Sequence, residues 1–139
     1  MACFDEARRH ALNRIQFNAP IASFQLVQAK LARMLTRLTH AQLMAFRLAA
    51  LKSQGHLTTA RISMAKLSNV EAAIEVARDA RDLMGADGIL DENQCFRHMC
   101  NLESVRTYEG TEHMHTLILG REITGIPAFA CAGKGGRCP

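Results

Sequence analysis

Apolar residues recur every three or four positions through most of the chain, and the breaks fall at glycine, proline and asparagine. That period belongs to helices. A first segment, Cys3 to about Arg14, carries Phe4, Ala7, His10 and Ala11 on one side and stops at Phe17-Asn18-Ala19-Pro20, a turn with a proline brake. A long helix over roughly Ile21 to Ser53 follows. Phe24, Val27, Leu31, Met34, Leu35, Leu38, Ala45 and Ala49 form its apolar face, expected to be buried along its length. Gln54-Gly55-His56 ends it. A third helix starts near Thr58 or Thr59 and runs to Met84, striped by Ile62, Ala65, Val70, Ala73, Ile74, Ala77 and Leu83. Two glycines in Gly85-Ala86-Asp87-Gly88 break it. Asp91 or Asn93 caps a fourth helix through about Arg106, which carries Phe96, Met99, Leu102 and Val105 inward. Thr111 is the N-cap of a fifth, where Met114, Leu117, Ile118 and Arg121 recur at helical spacing. No strand-like alternation and no internal repeat is visible.

Long helices joined by short turns imply an all-α fold, an up-and-down helical bundle in which neighbours cover each apolar stripe. The bundle is expected over residues 1–129. The tail 130–139, ACAGKGGRCP, has no periodicity and is expected to be disordered. Because the first helix is short, part of the longer ones lacks a partner. Self-association or a further domain would cover that face.

Composition narrows the class. At 139 residues with 48% hydrophobic and 5% aromatic positions, the chain suits one helix-rich domain with a real core. The formal net charge of +4 comes from cations mixed with acids along helical faces, a solvated surface with a mild preference for anionic ligands. It is no nucleic-acid footprint. Five cysteines form no CxxC pair and fit no closed disulfide framework, which points to a reducing compartment. No stretch has the apolar length of a membrane span, and the start lacks the apolar core of a signal peptide.

Candidate chemistry centres on Glu109, which sits between an aromatic and a glycine in the turn before the fifth helix. Gly110 lets the backbone approach a ligand, and the helix start offers free N–H groups to a carbonyl oxygen or an anion. By pattern alone it is an ordinary helix-start glutamate. Glu112 and His115 form one E-x-x-H, but a di-iron bundle needs a second copy and further carboxylates. Cys95, His98 and Cys100 do not share one helical face, so their spacing does not make a zinc site.

Residue order carries the reading further. Tyr108-Glu109-Gly110-Thr111, followed by His113, His115 and Ile118-Leu119-Gly120-Arg121, resembles the C-terminal segment of acyl-CoA dehydrogenases, the glutaryl-CoA type above all. Ala7-Arg8-Arg9, Arg14-Ile15-Gln16-Phe17, Phe24-Gln25-Leu26-Val27-Gln28 and the run Ala77 to Ile89 agree in the same order. The resemblance spans Cys3 to Phe129 and covers the C-terminal third of such enzymes, without their N-terminal helical and middle β-domains.

The resemblance implies that Glu109 is the base removing the α-proton of an acyl-CoA thioester while the β-hydrogen leaves as hydride to FAD. A carboxylate desolvated beside a thioester is a competent base, and the developing enolate needs hydrogen-bond donors. In glutaryl-type members the product then loses CO2 to give crotonyl-CoA. It further implies FAD contacts at Arg14, Phe17 and Gln25, at Asp82, Leu83, Met84, Gly85 and Ala86, at Thr111, Glu112 and His113, and at Phe129. Gly110 matches a substrate-contacting glycine. Arg14 would face the pyrophosphate, usually across a subunit interface, and the Asp82–Ala86 loop would lie along FAD from a neighbouring subunit. Asn18 and Ala86 depart from the pattern, since each stands where glycine is usual. The family implies a homotetramer with this bundle at its centre and electron-transfer flavoprotein as acceptor. Its location is the mitochondrial matrix in eukaryotes and the cytoplasm in bacteria.

Overall fold

One helix touches every other in this bundle. The computed structural model describes residues 1–128; Phe129 and the tail 130–139, with the expectations placed on them, lie outside the described residues. The helices are α1 (Ala2–Asn13), α2 (Gln25–Ser53), α3 (Thr59–Met84), α4 (Gln94–Thr107) and α5 (Glu112–Thr124). Helix α3 packs on α1, α2, α4 and α5. Its bounds are those read from the sequence, and the reason is local. Thr58 accepts a hydrogen bond from the Arg61 N–H at 3.3 Å, and at the far end the chain turns into a short 3-10 segment, Gly85–Ile89.

The all-α bundle is as expected, with the core at the end where α1 lies. Met34 joins Cys3, Phe4, Ala7, Val76, Ala77, Ala80, Met84 and Cys95 in one buried cluster that ties α1 to α4 together. Alanines at positions 7, 77 and 80 let the helices approach closely. Within that cluster the Cys95 thiol lies 3.2 Å from the Glu6 carboxylate and 3.7 Å from the Met84 sulfur. A hydrogen bond with the Cys3 thiol, then burial and the neighbouring Glu6, push it far above the ordinary thiol range.

The face of α2 differs from expectation. Met34 is buried and Val27, Leu31 and Leu38 partly so, but Leu35, Ala45 and Ala49 point outward, as do Leu26 and Phe46 at 86% and 73% exposure. Helix α2 is apolar on more than one side, and α3 with α1 covers only one of them. Ile62 and Phe96, expected inward, are also exposed, because the pattern at those positions is wide enough to admit two faces.

A second difference is a small hairpin. Ile15–Gln16 (β1) pairs antiparallel with Ala19–Pro20 (β2), Ile15 opposite Pro20 and Gln16 opposite Ala19. Two residues cannot show alternation, so the periodicity could not reveal it. The turn residues Phe17 and Asn18 both take positive φ, 50° and 62°, the signature of the two-residue turn that matches strand twist. Asparagine tolerates that conformation better than most residues, so Asn18 fills the glycine's role in the backbone.

Candidate functional site

The turn between α4 and α5 is built from both ends. The Tyr108 N–H closes α4 on Ser104 O at 3.0 Å, and Thr111 opens α5 by accepting from the Met114 N–H at 3.3 Å. Only Glu109 and Gly110 lie between, at φ 55° and 96°. A non-glycine residue in the left-handed region is uncommon and costs about 1 kcal/mol or more. Here it turns the Glu109 side chain into solvent. Among the described residues neither the Glu109 carboxylate nor its N–H has a partner. Glu109 is exposed and lies in the turn before α5, where the sequence places it.

Two residues of α3 hold the turn from below. The Lys66 ammonium donates to Tyr108 O and, at 2.8 Å, to Gly110 O, and lies 5.5 Å from the centre of the Tyr108 ring. Ser63 Oγ and His115 Nδ1 share a buried hydrogen bond of 3.0 Å, and the imidazole fills the space under Gly110. His115 Nε2 is buried and has no hydrogen-bond partner among the described residues. A cavity of about 250 Å³ opens beside them, floored by Val70 and Ile74 and rimmed by Glu71, Arg78 and Arg106. Glu112 is ion-paired with Arg106, which raises the guanidinium further above its ordinary range. The E-x-x-H pair is therefore engaged elsewhere, Glu112 with Arg106 and His115 with Ser63.

The other expected contacts gather at the opposite end of α3. Arg14 ends α1, and its guanidinium is exposed with no ion pair among the described residues. Phe17 stands at the hairpin tip, edge-on to Phe24 with centroids 6.1 Å apart, and Gln25 starts α2. An open cavity of about 440 Å³ lies between Arg9, His10, Asn13 and Arg14 on one side and Met84 and Asp87 on the other. Of the Asp82–Ala86 run, Met84 belongs to the core and Leu83 packs against it. Gly85 turns at φ 60° with nothing within 4 Å of a would-be Cβ. A free guanidinium, exposed amide and ring groups and an open backbone turn suit a phosphate-bearing group such as FAD.

Asp82 is pinned by Lys30, which donates to it and holds its carboxyl below the ordinary range, with Arg81 at 3.2 Å adding to the effect. Because the folded value is the lower one, the pair stabilises above the unfolded value and is lost as pH falls through the folded one. Both partners reach solvent, so Asp82→Asn should cost under about 1 kcal/mol near neutrality. In urea unfolding across pH, that gap should close below about pH 4. A gap constant into acid would remove the Lys30 pairing.

Two separate clusters thus stand on one chain. Lys66, under the acid turn, and Asp82, at the other end, are roughly 24 Å apart along α3 at the helical rise per residue. Glu109, Gly110, Thr111, Glu112 and His113 are consecutive in one turn and helix start; of the other set, Arg14 and Met84 line one cavity, Phe17 packs on Phe24 and Asp82 pairs with Lys30; the two sets stand apart. Sequence reasoning missed Lys66 and Ser63. The signal was present, since Ser63, Lys66 and Asn69 interrupt the apolar stripe of α3 every third residue. Asn69 donates to Ala41 O on α2 at 3.3 Å, so this polar row serves both neighbours.

Among the described residues, the architecture and the turn define an all-α bundle of five helices that presents an exposed acidic residue at the start of its last helix. The model of the acyl-CoA dehydrogenase C-terminal domain matches residues 1–124, and the chain belongs to that family. It is similar to a glutaryl-CoA dehydrogenase from Mycobacterium smegmatis, at 47% identity and a TM-score of 0.90, covering 93% of this chain and 33% of that one. A second glutaryl-CoA dehydrogenase structure from that organism, in complex with FADH2, is 40% identical with a TM-score of 0.89 over 92% of this chain and 33% of the other. A 3-(aryl)acrylate reductase of Clostridium sporogenes (strain ATCC 15579) is 34% identical over 122 residues, 88% of this chain and 32% of that protein. The chain therefore spans about a third of the length of the relatives it matches. No described helix is long and apolar enough to cross a membrane.

Proposed function

We propose that this chain is the catalytic-base domain of an acyl-CoA dehydrogenase of the glutaryl-CoA type, with Glu109 as the base. The observation that carries the reading is the left-handed turn at the start of α5, where neither the Glu109 carboxylate nor its own N–H has a partner among the described residues. The carboxylate takes the α-proton of an acyl-CoA thioester, and the N–H donates to the thioester oxygen as the enolate develops. Bound FAD supplies the acceptor for the β-hydride, which leaves the α,β-double bond behind. The identity of 47% to a glutaryl-CoA dehydrogenase supports a glutaryl substrate, whose product loses CO2 to give crotonyl-CoA. Gly110 faces the substrate. Arg14 pairs with the FAD pyrophosphate, with Phe17, Gln25 and the Asp82–Ala86 backbone beside it, and Thr111, Glu112 and His113 lie near the flavin ring.

Two clusters roughly 24 Å apart on α3 serve two different flavins on this reading, one through each copy in a homo-oligomer. The exposed apolar side of α2, with Leu43 and Phe46, is the surface that a second copy would cover. Electron-transfer flavoprotein is the acceptor for the assembled enzyme. A second reading, a helical oligomerisation module without cofactor or substrate, is favoured by the exposed apolar side of α2, with Leu35, Leu43 and Phe46.

A fluorescence titration with FAD separates the two, with the oligomeric state followed by sedimentation in the same samples. Saturable binding should weaken by roughly ten- to a hundredfold in Arg14→Ala, the worth of a hydrogen bond to a charged group. Glu109→Gln should bind as the parent does. Absence of binding in all three overturns the catalytic reading in favour of the module.

A further inference from the structure

We propose that Lys66 is the positioning residue of the acid turn: its ammonium, bound to the carbonyls on both sides of Glu109, holds that residue in the left-handed conformation. The catalytic meaning of this rests on the reading of Glu109 as the base; the backbone geometry does not. A glutamate at φ 55° is held there only if its surroundings over-determine it. The carboxylate contributes nothing, since it has no partner among the described residues. The flanking carbonyls do. Tyr108 O and Gly110 O both accept from Lys66 Nζ, so a single charge 42 to 44 residues away in sequence ties the peptide group before Glu109 to the one after Gly110 and fixes the two residues between them. The Tyr108 ring beneath the ammonium adds a cation–π contact, and the imidazole of His115 closes the space under Gly110. An extended backbone at Glu109 would swing one carbonyl away from the ammonium and carry the free N–H with it.

The competing account is that Lys66 only neutralises the last carbonyl of α4, as cations commonly do at helix C-termini. The two differ in what they do to Glu109. A terminal cation alters stability and leaves the Glu109 backbone alone; a clasp sets its dihedral angles. The test is NMR on the uniformly 13C,15N-labelled chain, reading the Glu109 Cα and Cβ shifts and the amide heteronuclear NOE in the parent, Lys66→Met and Lys66→Arg. The left-handed shift signature should be lost and the Glu109 amide should become mobile in Lys66→Met. Lys66→Arg, whose fork can donate to two carbonyls, should restore both. Unchanged Glu109 shifts in Lys66→Met overturn the proposal. Should Lys66→Met not fold, Lys66→Gln decides in the same way, since its amide is uncharged and reaches one bond less than the ammonium: a retained signature counts against the clasp and a displaced one supports it. The FAD titration stands apart from this result. Failure of flavin binding with the clasp intact removes the catalytic reading alone, and binding without Lys66 dependence of the Glu109 shifts removes the clasp alone.

Discussion

Met34→Ala should lower the unfolding free energy by about 2–5 kcal/mol, the usual cost of truncating a fully buried methionine. For a chain of this length that corresponds to a fall in melting temperature on the order of 10 °C or more. Met34 is completely inaccessible and stands in the one cluster where α1, α2, α3 and α4 meet. Three of the other members of that cluster are alanines, at positions 7, 77 and 80, which have no atoms to spare for filling the void. The cavity would therefore persist, and the cost should fall in the upper half of the range. Leu35→Ala, one residue further on, should change stability little in the isolated chain because Leu35 is 50% exposed. Calorimetry of the two variants at low protein concentration reads the difference. Equal losses would mean that α2 buries a different face from the one described. A Leu35 loss that appears only as concentration rises would instead report the exposed side of α2 packing on a second copy.

These two adjacent residues also show what periodicity can and cannot say. The bounds of α3 were legible because a threonine cap and a glycine pair mark them within a few residues. The rotation of α2 was not. Its apolar positions cover more than one side, and choosing between Met34 and Leu35 needs the partner helix, which lies far away in sequence. The acid turn divides in the same way. That Glu109 precedes a helix capped by Thr111 could be read locally, whereas its left-handed backbone depends on Lys66, on another helix. A lysine every third residue from a serine and an asparagine was a visible interruption of the α3 stripe, but nothing local says which carbonyls it seeks. The residues placed by resemblance fall into two groups in the structure, Arg14, Phe17, Gln25 and Asp82 to Ala86 in one and Glu109 to His113 in the other, a division that the resemblance already implied by assigning Arg14 and the Asp82–Ala86 loop to a neighbouring subunit's cofactor. Their separation follows from the length of α3 alone.

Gly110→Ala should destabilise the chain by about 1–3 kcal/mol and displace the acid turn, through two causes that a double-mutant cycle can separate. The first is the backbone, since φ of 96° is a conformation that a residue with a Cβ rarely adopts. The second is collision: the new Cβ would lie 2.8 Å from His115 Nε2 and 3.1 Å from Cε1. A flexible side chain would move aside at little cost, but this ring is buried and bonded to Ser63, so it yields only by breaking that hydrogen bond. In a His115→Ala background the collision disappears and the backbone strain stays. Gly110→Ala should therefore cost less there than in the parent, with a coupling on the order of 1 kcal/mol. Urea unfolding of the four proteins measures it. Zero coupling would assign the whole cost to the backbone and detach His115 from the turn. Coupling equal to the full cost would mean that the Lys66 contacts absorb the strain at φ 96°, and Gly110 would then be required for the ring beneath it and not for its dihedral freedom.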